Sequence, residues 1–369
     1  MGKNHPLHIQ KNHWDEWTTG SAIDPDLTAL NLESISGQIP YEYLLYNWKS
    51  GKKHPDAIAR KMNRRFGNNW WDGGWWCYGG EDTDWGCFKS DRPRIDKSKG
   101  FNPNKPKYIK YEHPPQTPTE IFRLKMPRHL WQRIANRYNI PIGNYLDFWQ
   151  WVNDHPQIPI TITEGVKKAG ALLSRGYVAL ALPGVWSGVR TPRNKDGKRI
   201  GQSYLIPELK QFAQPNRLIY LAFDQDRKRS TKRYVNDAIA KTGKLLKNSG
   251  CQVKVTSWDA DYKGIDDFIV AHGNRLDLVF QSALDLEIWQ ASQLSRLTYA
   301  PDLIINSRYL GSFSFPADAQ LIGLKARKGG GKTQWLSEQV KQIIREGDRK
   351  ILLLTHRIQL GSELCGRLG

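Results

Sequence analysis

From residue 158 onward the chain alternates short apolar runs with longer amphipathic ones, and this alternation constrains its fold more than any other feature. Residues 160–163, 177–182, 217–223 and 252–257 read as strands. Residues 166–174 and 231–249 read as helices, the second with Val235, Ile239, Leu245 and Leu246 at helical spacing. Strand and helix in turn build a parallel sheet with helices on both faces, so a doubly wound α/β domain is expected over 158–273. Between the second and third strands, residues 186–201 are rich in Gly, Pro and basic side chains and read as a loop or hairpin.

Open parallel sheets collect ligands at the carboxyl ends of their strands. Three acidic segments fall there: Glu164-Gly165, Asp224-Gln225-Asp226 and Lys263-Gly264-Ile265-Asp266-Asp267. Carboxylates converging on one edge repel unless a divalent cation neutralises them, and oxygen-only ligands select Mg²⁺ or Mn²⁺. Glu164, Asp224, Asp226 and Asp267 are therefore candidate metal ligands, the first three also candidate catalytic groups. Three unrelated surface loops are the alternative. Basic residues crowd the same edge: Arg190 and Arg193 in the insertion, then Lys228, Arg229, Lys232 and Arg233 after the second acidic pair. They suit a phosphodiester substrate, with a solvated helix face as the alternative. The order of the three acidic elements resembles the Toprim fold of primases, topoisomerases and some nucleases.

A helical linker around 276–294, within 274–318, leads to a second α/β pattern at 319–369. It runs strand (319–325), glycine loop, helix (333–345), strand (350–355) and helix (358–368). The loop Ala326-Arg327-Lys328-Gly329-Gly330-Gly331-Lys332-Thr333 fits the phosphate-loop pattern except that alanine replaces its first glycine. Gly329, Gly330 and Gly331 would turn backbone N–H groups toward phosphate, Lys332 would reach the β and γ phosphates of ATP, and Thr333 would ligate its Mg²⁺. Leu353-Leu354-Thr355-His356-Arg357 resembles the segment that follows this loop in superfamily 2 helicases. The acidic pair such motors need is not present by residue 369, so a truncated P-loop (RecA-like) helicase domain without helicase activity is expected.

The first 157 residues differ in kind. Ten of the fifteen tryptophans lie in the first 150 residues, and 67–118 is dense in Gly, Pro, Asn and Trp, which predicts short strands and ordered loops. The tryptophans serve either as core or as stacking platforms for single-stranded bases. Cys77 and Cys87 stand too far apart for a structural zinc knuckle, and four cysteines cannot build a disulfide framework, so the reducing cytoplasm is expected. No apolar run is long enough for a membrane span. A net charge of +19 points to a polyanionic partner, nucleic acid first.

Taken together, these stretches resemble cyanobacterial plasmid replication proteins of the CyRepA type. The likeness rests on Trp75-Trp76-Cys77, Trp85-Gly86-Cys87-Phe88-Lys89, Lys110-Tyr111-Glu112-His113-Pro114-Pro115, Glu164-Gly165-Val166-Lys167-Lys168-Ala169-Gly170-Ala171, Ala181-Leu182-Pro183-Gly184, Phe223-Asp224-Gln225-Asp226, Asp266-Asp267-Phe268-Ile269, Arg308-Tyr309-Leu310-Gly311 and Thr355-His356-Arg357-Ile358-Gln359-Leu360-Gly361. The resemblance implies an α/β multidomain protein: a Trp-rich N-terminal region, a Toprim-like domain and the start of a helicase domain. It implies plasmid DNA replication of primase/helicase type, with DNA (origin or single strands) as partner and oligomerisation left open. The alternative is a non-catalytic DNA-binding initiator that uses the Toprim-like fold as a scaffold.

Overall fold

A computed structural model describes residues 5–47, 70–96, 106–294, 302–311, 322–326 and 329–345, with isolated positions at 102, 104, 313, 347 and 366. Two compact units divide the chain, Met1–Ala283 and Leu284–Gly369. The aromatic N-terminal region and the α/β segment thus form one unit, where the sequence pattern marked a change at 157.

That unit opens with helices α1 (Lys11–Thr18) and α2 (Pro25–Asn31), strand β1 (Leu32–Ile35) and helix α3 (Ile39–Leu45). Strands β2 (Gly74–Tyr78) and β3 (Gly86–Ser90) complete an antiparallel sheet in the order β1-β2-β3, with Leu32 opposite Cys77 and Cys77 opposite Cys87. Its core is aromatic: Trp70, Trp76 and Phe88 bury themselves with Ile35 and Leu44, and Trp17 meets Trp75 edge-on at 5.4 Å. Gly86 is obligatory, because a Cβ there would stand 2.5 Å from the Trp76 ring. Trp71, by contrast, is exposed.

After α4 (Arg128–Tyr138) and α5 (Phe148–Asp154) the alternation read from the sequence appears. It comprises β4 (Ile160–Glu164), α6 (Val166–Ser174), β5 (Ala179–Leu182), the two-residue strands β6 (Val189–Arg190) and β7 (Tyr204–Leu205), α7 (Pro207–Lys210), β8 (Leu218–Ala222), α8 (Arg229–Asn248), β9 (Gln252–Val255), α9 (Ile265–His272) and α10 (Leu276–Gln281). Strands β9, β8, β4 and β5 lie in that order, all parallel, with Thr163 opposite Ala222 and Glu164 opposite Leu182. Strand β5 begins later than expected, at Ala179, and the Tyr177 ring stacks on Phe280 at 4.1 Å. The 186–201 insertion forms the β6–β7 hairpin.

Several contacts tie the aromatic region to the α/β segment. Phe122 and Ala181 exchange backbone hydrogen bonds of 2.8 and 3.2 Å, which satisfies part of the β5 edge. Arg217 is fully buried, and its Nη2 donates to the Val152 and Asn153 carbonyls at the end of α5, where a helix favours positive charge. Burial pulls this guanidinium down to about 10.

The expected linker helix is interrupted: α10 ends at Gln281 within the first unit, and α11 (Leu286–Leu294) starts a new helix in the second. Helix α12 (Lys332–Arg345) matches the expected one. The strand expected at 319–325 is not formed over residues 322–326, and 319–321 lie outside the described residues. A strand needs a paired neighbour, and the neighbour expected at 350–355 also lies outside the described residues, as does the helix expected at 358–368.

Candidate functional site

A pocket of about 390 Å³ opens at the carboxyl edge of the parallel sheet. Glu164 ends β4, and Asp224 follows β8 by two residues, so adjacent parallel strands deliver both carboxylates to one side of the pocket. Gly165, at φ +89°, turns the chain from β4 straight into α6 in a conformation that glycine tolerates best. One turn along α6, Lys168 reaches back. Its Nζ donates to the Glu164 carbonyl at 3.0 Å and pairs with Asp224 Oδ1 at 2.8 Å. Lys263 Nζ stands 3.8 Å from Asp224 Oδ2 and 3.4 Å from Asp226 Oδ1.

These positions set the electrostatics. Burial pushes the Glu164 carboxyl above the usual range, and the Asp224 charge adds to it. Burial also raises Asp224, against the pull of Lys168. Burial would lower Lys168, but Asp224 outweighs it and holds the ammonium charged. The expected repulsion among bare carboxylates is thus answered in this conformation by two lysines.

The Lys263–Asp267 segment forms a second side. Asp267 Oδ2 accepts from the Gly264 N–H at 3.1 Å and so closes the first turn of α9, a capping role where a metal ligand was expected. Asp266 is buried; its Oδ2 accepts from Ser21 Oγ at 3.1 Å, and its Oδ1 has no hydrogen-bond partner among the described residues. A Cβ at Gly264 would lie 2.8 Å from Lys168 Cε.

The remaining wall comes from the aromatic region, through Cys87, Lys110, Tyr111, His113 and Phe122. His113 stacks on Trp85 at 5.1 Å and donates from Nδ1 to the Gly86 carbonyl at 3.0 Å; burial lowers it to about 4, so it is neutral near pH 7. Glu16 on α1 fixes the pocket residue Lys167. Its Oε1 accepts from Lys167 at 2.9 Å, and its Oε2 from Lys89 at 2.7 Å and from Trp75 Nε1 at 3.1 Å. Burial alone would raise Glu16, but Lys167 and Lys89 bring it down to about 2.

Glu164, Asp224 and Asp267 therefore meet at one pocket, whereas Asp226 stands beside it, held by Lys263. The ligand oxygens of Glu164, Asp224 and Asp226 do not gather within 4.8 Å of one another. Among the described residues that closeness belongs to Asp24, Asp26 and His129, where Asp24 also caps α2 by accepting from the Asp26 and Leu27 N–H groups. The donor chemistry at the pocket still fits Mg²⁺ or Mn²⁺: the carboxyl oxygens are partly desolvated, and their raised pKa values record a charge cost that a dication relieves. Lys168 would have to release Asp224 for such an ion to bind.

Sequence reading missed Lys110, Tyr111, Lys167, Lys168, Lys263 and Glu16. Lys167 and Lys168 carried a usable signal, since they follow Glu164 by three and four residues on a helix that starts at the strand end. Glu16 carried none. Of the basic candidates, Arg190 Nη2 donates to the Thr119 carbonyl and Arg193 Nη1 to the Gly197 carbonyl, while Lys228, Arg229, Lys232 and Arg233 are exposed around the start of α8. In the second unit, Gly329 and Gly331 have φ of +77° and +82°, and Lys332 Nζ donates to the Ala326 carbonyl at 2.6 Å. Lys332 and Thr333 open α12.

Residues 148–276 match a family described as a domain of unknown function, DUF3854. The chain is 43% identical over 385 residues to an uncharacterized protein of Picosynechococcus sp. (strain ATCC 27264 / PCC 7002 / PR-6), covering 100% of this chain and 37% of that protein's length. Among solved structures, the Aquifex aeolicus primase (zinc-binding and RNA polymerase domains) aligns with TM-score 0.37 and 14% identity over 76% of this chain and 58% of that one. A DnaG primase catalytic domain bound to single-stranded DNA aligns with TM-score 0.36 and 12% identity over 96% of this chain and 87% of that one.

Proposed function

We propose that the first unit performs nucleotidyl transfer on DNA, as the primase-like part of a plasmid replication protein of the CyRepA type. One observation carries the reading: Glu164 and Asp224 end neighbouring parallel strands in a pocket that also presents Lys110, Lys167, Lys168 and Lys263. Glu164, Asp224 and Asp226 would hold Mg²⁺ or Mn²⁺. When bound, the ion supplies charge neutralisation and alignment for an incoming nucleotide's phosphates. The lysines bind those phosphates, and Lys168, once free of Asp224, turns its ammonium to them. Arg190, Arg193, Lys228, Arg229, Lys232 and Arg233 would follow the DNA backbone, with affinity falling as salt rises. The loop from Gly329 to Thr333 would bind ATP in the second unit.

A second reading, a non-catalytic DNA-binding initiator on a Toprim-like scaffold, draws support from the 2.8 Å Lys168–Asp224 pair, which neutralises the site without an ion. Templated dinucleotide synthesis with Mg²⁺ or Mn²⁺ separates the two. The catalytic reading expects product from the wild type and none from Asp226→Asn; a scaffold yields none from either.

A further inference from the structure

Helix α8 and the β6–β7 hairpin make a surface whose basic residues the proposed function sets on the DNA backbone and whose aromatic rings it leaves unassigned. Strand β7 packs against α8. Tyr234 on α8 is 57% exposed, and its ring meets that of Trp186 at 5.8 Å and 67°. Trp186 is half-buried and meets the tyrosine in an edge-type contact, while much of the tyrosine stays open to solvent. On β7, Tyr204 is 48% exposed. Charge surrounds these rings. No acidic residue occurs from Arg227 to Arg233, a stretch that carries five basic ones, and Asp196 is the sole acid between Arg190 and Arg199. The start of α8 adds the positive end of a 20-residue helix.

A single exposed ring is ordinary on a protein surface; here one is braced edge-on by a second ring and follows directly on a basic run. That combination fits an extended polyanion whose flat, apolar bases are free to stack. Duplex DNA offers the phosphates but keeps its bases stacked on one another.

We propose that Tyr234, braced by Trp186, is a stacking platform for an unpaired DNA base, with Lys228, Arg229, Lys232 and Arg233 on the flanking phosphates. The platform rests on the reading of this unit as DNA-binding and adds to it the choice of single strands.

The test is equilibrium binding of the full chain, without metal or nucleotide, to a thymidine oligomer about twelve nucleotides long, to an abasic oligomer of equal length and to a duplex. Tyr234→Ala should weaken thymidine-oligomer binding about ten-fold, while Tyr234→Phe stays close to wild type. All three proteins should bind the abasic oligomer alike and the duplex alike. Unchanged thymidine-oligomer binding by Tyr234→Ala, or an equal loss on the abasic oligomer, would overturn the platform. A wild type that binds none of the probes would overturn both the platform and the DNA-binding reading. The assay requires no chemistry, so failure of primer synthesis alone would leave the platform standing.

Discussion

The antiparallel sheet β1-β2-β3 and the parallel sheet built on β4 and β8 reach stability by different means. The first is filled with indoles: Trp17, Trp70, Trp75, Trp76 and Trp85 are nearly inaccessible. The second is filled with small aliphatic groups such as Ile160, Ile162, Ala179, Ala181 and Leu221. Large rings fix shape through volume, and a parallel ladder fixes it through register, which leaves the strand ends free to carry charged groups. Charged groups are tolerated where the ladder ends: carboxylates sit at its edge, and the aromatic region lends a wall.

The sharpest way to break this contrast is to remove volume from each side. Trp76→Ala should cost about 3–5 kcal/mol in denaturant unfolding and Ile162→Val about 0.5–1.5 kcal/mol. Equal losses would show that the tryptophans are not the volume-critical half. Both variants should unfold in one transition, since Glu16–Lys167 and Ser21–Asp266 join the aromatic region to helices α6 and α9 of the α/β segment.

At the ladder edge, Asp224→Asn strands Lys168 as a largely buried charge, so stability should fall by about 1–3 kcal/mol. Adding Lys168→Met should recover most of it. A stabilised single variant would mean that carboxylate repulsion dominates, as the bare sequence suggested.

A smaller effect tests the junction. Glu16 has its pKa depressed in the folded chain from 4.5 to about 2. Its contribution is therefore fully present above about pH 4.5 and is lost as pH falls through about 2. Compared with Glu16→Gln, the wild type should be more stable by about 1–2 kcal/mol near neutrality after allowance for solvent screening, with the gap closing toward pH 2. A gap that stays constant with pH would remove the ion pairs from the account.

The strands, α6, α8 and α12 were legible in the sequence because apolar periodicity and glycine punctuation are local signals. Glu164 and Asp224 were legible for the same reason, the first ending its strand and the second following its strand by two residues. What Asp224 pairs with was not, because the Lys168 contact depends on the sharp turn at Gly165. Asp267 was legible as a carboxylate of the pocket segment, but its cap on the Gly264 N–H was not, because that bond depends on where α9 starts. Glu16, Lys110 and Tyr111 were hidden by distance along the chain: Lys110 and Tyr111 line the pocket, and Glu16 meets the pocket residue Lys167, only once the aromatic region docks on the α/β segment. The strand expected at 319–325 shows the limit of local pattern, since pairing decides it.

Whether the strand-end carboxylates form a divalent-cation site is decided by Mn²⁺ titration followed by electron paramagnetic resonance. The wild type should show one weak site, Lys168→Met should bind more tightly, and Asp224→Asn/Asp226→Asn should lose the site with the fold retained by circular dichroism. Undiminished Mn²⁺ binding in the folded double variant would contradict that assignment.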